Sequence, residues 1–165
     1  MFDLTLPQGA AVTFLVLTLP FCIWVALSDI RSMKIRNNAV IGLIAVFLAS
    51  GAFAFPVSTF AWHLLFGIIA LAIGFALNAG GILGAGDAKF IAAATPFIMP
   101  QDAVAVIYLL AVILLVTFIA HRVLRAIPGV RNALPHWESW TNPKFPMGLA
   151  LGPTLSLYFT FAAIG

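Results

Sequence analysis

Six apolar runs, all but the last two joined by short connections, constrain this chain more than any other feature. They lie at about 10–28, 38–54, 60–78, 87–99, 103–120 and 147–164. A helix that crosses a bilayer needs about 20 mostly apolar residues, and five of the runs approach that length. The fourth, DAKFIAAATPFIM, is short, so it must thin the bilayer locally or begin within the interface. Hydrophobic residues make up 63% of the chain and charged residues 8%, against about 45–50% and about 25% in a soluble domain. The expected fold is all-α: one polytopic membrane domain over residues 1–165, with about six transmembrane helices. The N-terminal stretch has no basic region, and its apolar run exceeds the ~7–15 residues of a signal peptide. It reads as a retained helix. Cys22, the single cysteine, lies inside that run and reads as a small hydrophobe.

The eight basic residues set the orientation. Arg31, Lys34 and Arg36 follow the first run, and Lys89 opens the fourth. Arg122, Arg125, Arg131 and Lys144 fall between the fifth and sixth. The connections FPVST and MPQD carry none. The positive-inside rule then places three connections in the cytoplasm and both chain ends outside. The net charge of +3 thus reports orientation and contact with lipid, and no nucleic-acid partner is expected. Residues 121–146 form the longest polar stretch. Val123, Leu124, Ile127 and Val130, among arginines, suggest a short interfacial helix broken by Pro128, with Trp137 and Trp140 at headgroup level.

Five acidic residues bear on any chemistry. Asp3 and Asp102 lie on the outer side near helix starts, where a carboxylate complements the helix dipole, and they read as caps or solvated groups. Glu138 reads as a surface residue. Asp29, at the end of the first run, and Asp87, at the start of the fourth, share the cytoplasmic face at similar depth. Carboxylates at membrane depth are costly and often mark function. The plainer reading pairs Asp29 with Arg31 or Lys34 and makes Asp87 a cap. Gly80, Gly81, Gly84 and Gly86 precede Asp87 and allow close backbone approach. A phosphate loop would need Lys and then Ser or Thr after its last glycine, whereas Asp87 follows Gly86. Two neighbouring carboxylates can divide acid and base roles, one keeping its proton while the other activates water. That chemistry needs no metal or cofactor, and none is expected: HExxH is absent, and His63, His121 and His136 are far apart in sequence. Ser28 and Ser32 lack the spacing of a nucleophile elbow.

GAGDAK, Gly84 to Lys89, resembles the GxGDxK signature of the type IV prepilin peptidases, a family of GxGD-type intramembrane aspartic proteases. Asp29, Arg31, Ile35 and Asn37 are similar to that family's D-x-R-x-x-x-I-x-N pattern, with Arg36 in place of its proline. Pro146 and Gly148 resemble its late P-Y-G turn, with Met147 in place of the aromatic. The resemblance implies that Asp29 and Asp87 are the catalytic pair. It makes Gly84 and Gly86 shapers of the substrate loop, and Lys89, Arg31 and Asn37 supporting residues. Lys89 would contact lipid phosphate or hold local charge. The resemblance also implies a prepilin or pseudopilin substrate cut at the inner face of the bacterial cytoplasmic membrane, and contact with pilus assembly machinery. Lacking the cysteine-bearing insertion of long members, the chain resembles the short form that serves tight-adherence pili, without methyltransferase activity. Two other readings stay open on the residues alone: a small proton-coupled carrier, and a non-catalytic pilus or secretion assembly protein.

Overall fold

The structure, a computed structural model, describes residues 4–165; Asp3 lies outside them. Its regular elements are helical: α1 Gln8–Ser32, α2 Asn37–Ala54, α3 Val57–Ala79, α4 Ala85–Ala94, α5 Ala103–Ala126, α6 Pro128–Ala133 and α7 Gly148–Ile164, with short 3₁₀ turns at Thr95–Phe97, Pro100–Asp102 and Glu138–Trp140. The protein is an all-α polytopic membrane protein. Four helices are long and apolar enough to cross a bilayer: α1, α2, α3, and α5 with its 3₁₀ lead-in. The count of six therefore needs adjusting at the fourth and sixth runs. Helix α7 has 17 residues. Helix α4 has 10 and rises only about 15 Å at 1.5 Å per residue. It ends because Pro96 removes a donor and tightens the chain into the Thr95–Phe97 turn.

Boundaries follow local chemistry. Pro7 and Pro56 stand immediately before α1 and α3, where a missing amide costs nothing. Helix α1 closes on Met33 in the left-handed region, φ 51°. The stretch at 121–146 differs from the sequence reading. Helix α5 runs on to Ala126, taking in Arg122 and Arg125, whose long stems let a helix continue past the apolar region. Pro128 interrupts the helical stretch as expected: α5 ends at Ala126, Ile127 is extended, and Pro128 starts α6. Trp140 is buried in protein, at 5% exposure, rather than resting among headgroups.

Two kinds of contact hold the bundle. Toward the far end from Asp87, Phe14 packs against Phe97 at 5.1 Å, Phe159 at 5.8 Å, Phe55 at 5.9 Å and Phe47 at 6.4 Å between ring centroids. His63 stacks on Phe55 at 4.7 Å, and its Nδ1 pairs with the Pro96 carbonyl at 2.6 Å. Elsewhere small residues bring helices together, as in other membrane bundles. A Cβ on Gly152 would stand 2.5 Å from the Cys22 carbonyl oxygen, and one on Gly74 would stand 3.0 Å from the Ala88 Cβ. Helices α1 and α7 form the broadest contact, and α3 lies along α4. An apolar cleft of about 450 Å³ opens between α3, α4, α5 and α7, with Ile73, Phe90, Ile107 and Leu151 among its walls.

Candidate active site

Asp29 lies one turn before the end of α1 and is 5% exposed. Its Oδ2 accepts a hydrogen bond at 2.7 Å from the backbone N–H of Gly148, 119 positions away. Gly148 is the first residue of α7, so the carboxylate sits on a helix N-terminus, where orphan amides and the helix dipole favour an anion. A Cβ on Gly148 would meet the Asp29 Cβ at 2.9 Å and its Oδ2 at 3.1 Å. Only glycine permits this approach, which gives the late Pro146–Met147–Gly148 turn a physical purpose. Arg31 and Lys34 are exposed, and Gly148 is the donor recorded for Asp29. The ion-pair reading of Asp29 is thereby replaced.

Asp87 is the third residue of α4, with Gly84 at the N-cap position in extended backbone, φ −67° and ψ 143°. The carboxylate folds back over Gly84, where a Cβ would stand 2.5 Å from Oδ2. Any other residue at 84 would push the carboxylate away. The turn before it passes through Gly81 at φ 73°, a backbone region open to glycine. The Asn78 side chain secures it by donating to the Leu83 carbonyl at 2.8 Å.

The two motifs meet. A Cβ on Gly86 would lie 3.2 Å from the Ile35 Cβ, so Ile35, in the α1–α2 connection, seats on the glycine just before Asp87. Lys89 Nζ donates to Asn37 Oδ1 at 3.2 Å. This bond joins a residue after each aspartate and closes the α2–α4 side of the site. Lys89 is exposed and its ammonium keeps further donors beyond this bond. The Ile35–Gly86 and Lys89–Asn37 contacts bring the connection that follows Asp29 against the helix that carries Asp87, so both carboxylates share this end of the bundle. Carboxylates that approach closely cannot both ionise cheaply, and one then keeps its proton. Gly84, Gly86, Lys89 and Asn37 are thus gathered with Asp29 and Asp87, while Arg31 points outward. Ser28 and Ser32 donate to helix carbonyls of Val25 and Ser28.

Asp102 corrects the sequence reading most. It is 2% exposed and makes no cap bond. Its Oδ1 accepts from the Thr5 amide and hydroxyl, each at 2.9 Å, and its Oδ2 accepts from the Tyr158 hydroxyl at 2.8 Å. Tyr158 in turn accepts from the Met99 amide at 3.2 Å. Its partners lie 56 and 97 positions away, beyond the reach of any local pattern. Glu138 is exposed, as its sequence context suggests.

Fold and site together define a polytopic helical membrane protein with two carboxylates gathered at one end of the bundle. A model of the type IV leader peptidase family matches residues 15–121, roughly two thirds of the chain. The chain belongs to that family, which makes it a peptidase. No curated protein and no solved structure gives a significant match. The matched region contains Asp29, Asp87 and both connections around them; Gly148 lies beyond it.

Proposed function

We propose that the protein is a membrane-embedded aspartic endopeptidase that removes the cytoplasmic leader of prepilin-like proteins, with Asp29 and Asp87 as the catalytic pair. The observation that carries this reading is the meeting of D-x-R-x-x-x-I-x-N and GxGDxK at one end of the bundle, within a chain of the leader peptidase family. One carboxylate takes a proton from water, which adds to the scissile carbonyl carbon. The other, protonated, donates to the carbonyl oxygen. Collapse of the tetrahedral adduct breaks the C–N bond and returns a proton to the departing amine. Gly84 and Gly86 shape the loop beside Asp87 by admitting its carboxylate and Ile35 where side chains would otherwise stand.

The distribution of Lys and Arg supports a site facing the cytoplasm of the inner membrane. The apolar cleft starts at Phe90, one turn beyond Asp87, and suits the apolar segment that follows a leader. The carrier reading is weaker, because both aspartates lie at one end of the bundle rather than at mid-depth.

The test is incubation of membranes holding the protein with a leader-bearing prepilin-like substrate, read by intact mass. The expected product has lost its leader in one cut at the boundary between the basic leader and the apolar segment, with EDTA making no difference. No cleavage, or a cut that survives both Asp29→Asn and Asp87→Asn, would overturn the reading.

A further inference from the structure

Phe118, His121, Arg122 and Arg125 follow one another on α5 at spacings of three, one and three, which places them on one stripe of the helix. All four grip the irregular segment that leads into α7. Arg125 donates to the Asn142 carbonyl at 3.0 Å, and Arg122 reaches the Pro143 carbonyl at 3.5 Å while lying 5.1 Å over the Phe118 ring. Phe145 meets Phe118 at 5.5 Å and His121 edge-on at 5.8 Å. His121 also stacks on Trp140 at 5.3 Å, with 19° between the planes.

His121 is 2% exposed, yet neither of its ring nitrogens has a hydrogen-bond partner among the described residues. A buried imidazole without partners costs stability, so its contribution here is the packing of its ring. Three residues after Phe145, past the fully buried Pro146, comes Gly148, whose amide holds Asp29. Residues 141–147 have no regular structure of their own. The α5 stripe holds Asn142, Pro143 and Phe145 within this stretch.

We propose that this stripe is a clamp that sets the Gly148 amide on the Asp29 carboxylate, with His121 as a positioning residue for peptide cleavage. The catalytic part of the inference rests on the peptidase reading; the clamp itself does not. A carboxylate displaced by about 1 Å loses on the order of 10²-fold in rate, so loosening this distant ring slows the reaction without touching the substrate.

The test compares His121→Ala with His121→Phe. The alanine variant is expected to lower kcat per folded enzyme by about 10- to 100-fold with KM unchanged, and phenylalanine, which keeps the ring, to restore it. A merely structural role would reduce the amount of folded protein and leave kcat per folded molecule intact. The clamp is read separately by the distance distribution between spin labels on Lys34→Cys and Lys144→Cys, in a Cys22→Ala background. It should be narrow with His or Phe at 121 and broad with Ala. A narrow distribution in the alanine variant overturns the clamp. A broad one with unchanged kcat overturns the positioning role, and a phenylalanine variant as slow as alanine overturns ring packing as its basis. If the parent protein cleaves no leader, the peptidase reading fails while the distances still decide the clamp.

Discussion

Asp29 and Asp102 are both buried carboxylates at opposite ends of the same bundle, and they are provided for very differently. Asp102 accepts three hydrogen bonds, two from Thr5 and one from Tyr158. It ties the segment before α1, the start of α5 and the middle of α7 into one knot. Asp29 accepts one, from a backbone amide, and shares its end of the bundle with Asp87. A carboxylate whose lone pairs are filled by protein donors is a structural part. One left with spare acceptor capacity beside a second carboxylate can still exchange a proton with water. The surroundings differ in the same sense. The far end is packed with phenylalanine rings, whereas the near end is shaped by glycines at 84, 86 and 148, each placed where a side chain would disturb a carboxylate or its support.

That contrast can be broken or sharpened by substitution. The largest effect is expected from Asp29→Asn and Asp87→Asn: each should lower leader cleavage by at least 10²- to 10⁴-fold, on the order of what general acid–base groups contribute. The protein should remain in the membrane at normal level. Next, Gly148→Ala forces a methyl group against Asp29 and should slow cleavage on the order of 10²-fold, with little change in thermal unfolding. Tyr158→Phe or Asp102→Asn should do the reverse, costing about 1–3 kcal/mol of stability, read by unfolding in detergent, while the folded fraction keeps its cleavage rate. Smallest is Lys89→Ala, which removes an exposed bond to Asn37 and should change the rate by less than about five-fold.

The apolar runs were legible because length and hydropathy alone decide them. Asp29 and Asp87 were legible because each sits in a short local motif and the pattern of basic residues puts both at one end. Features that join distant positions were not. Asp102 looked like a cap because its neighbours are Pro100 and a helix start; Thr5 and Tyr158 leave no local sign of their partnership. The Asp29–Gly148 bond was hinted at only by the late P-x-G turn, and its close approach depends on α1 packing along α7. The reach of α5 to Ala126 was hidden because Arg122 and Arg125 look like loop residues. Their spacing with Phe118 and His121 was a helical signal in plain view. Trp140 illustrates a preference overridden by tertiary packing: a residue suited to the membrane interface is stacked instead on His121.

The most direct test places Asp29→Asn, Asp87→Asn and Asp102→Asn side by side in one leader-cleavage assay, with the amount of folded protein measured for each. The first two are expected to accumulate uncut substrate at full protein level, whereas the third is expected to cut at the parent rate per folded molecule. Cleavage by either of the first two, or loss of turnover in the third with folding intact, would contradict the division between a structural carboxylate and a reacting pair.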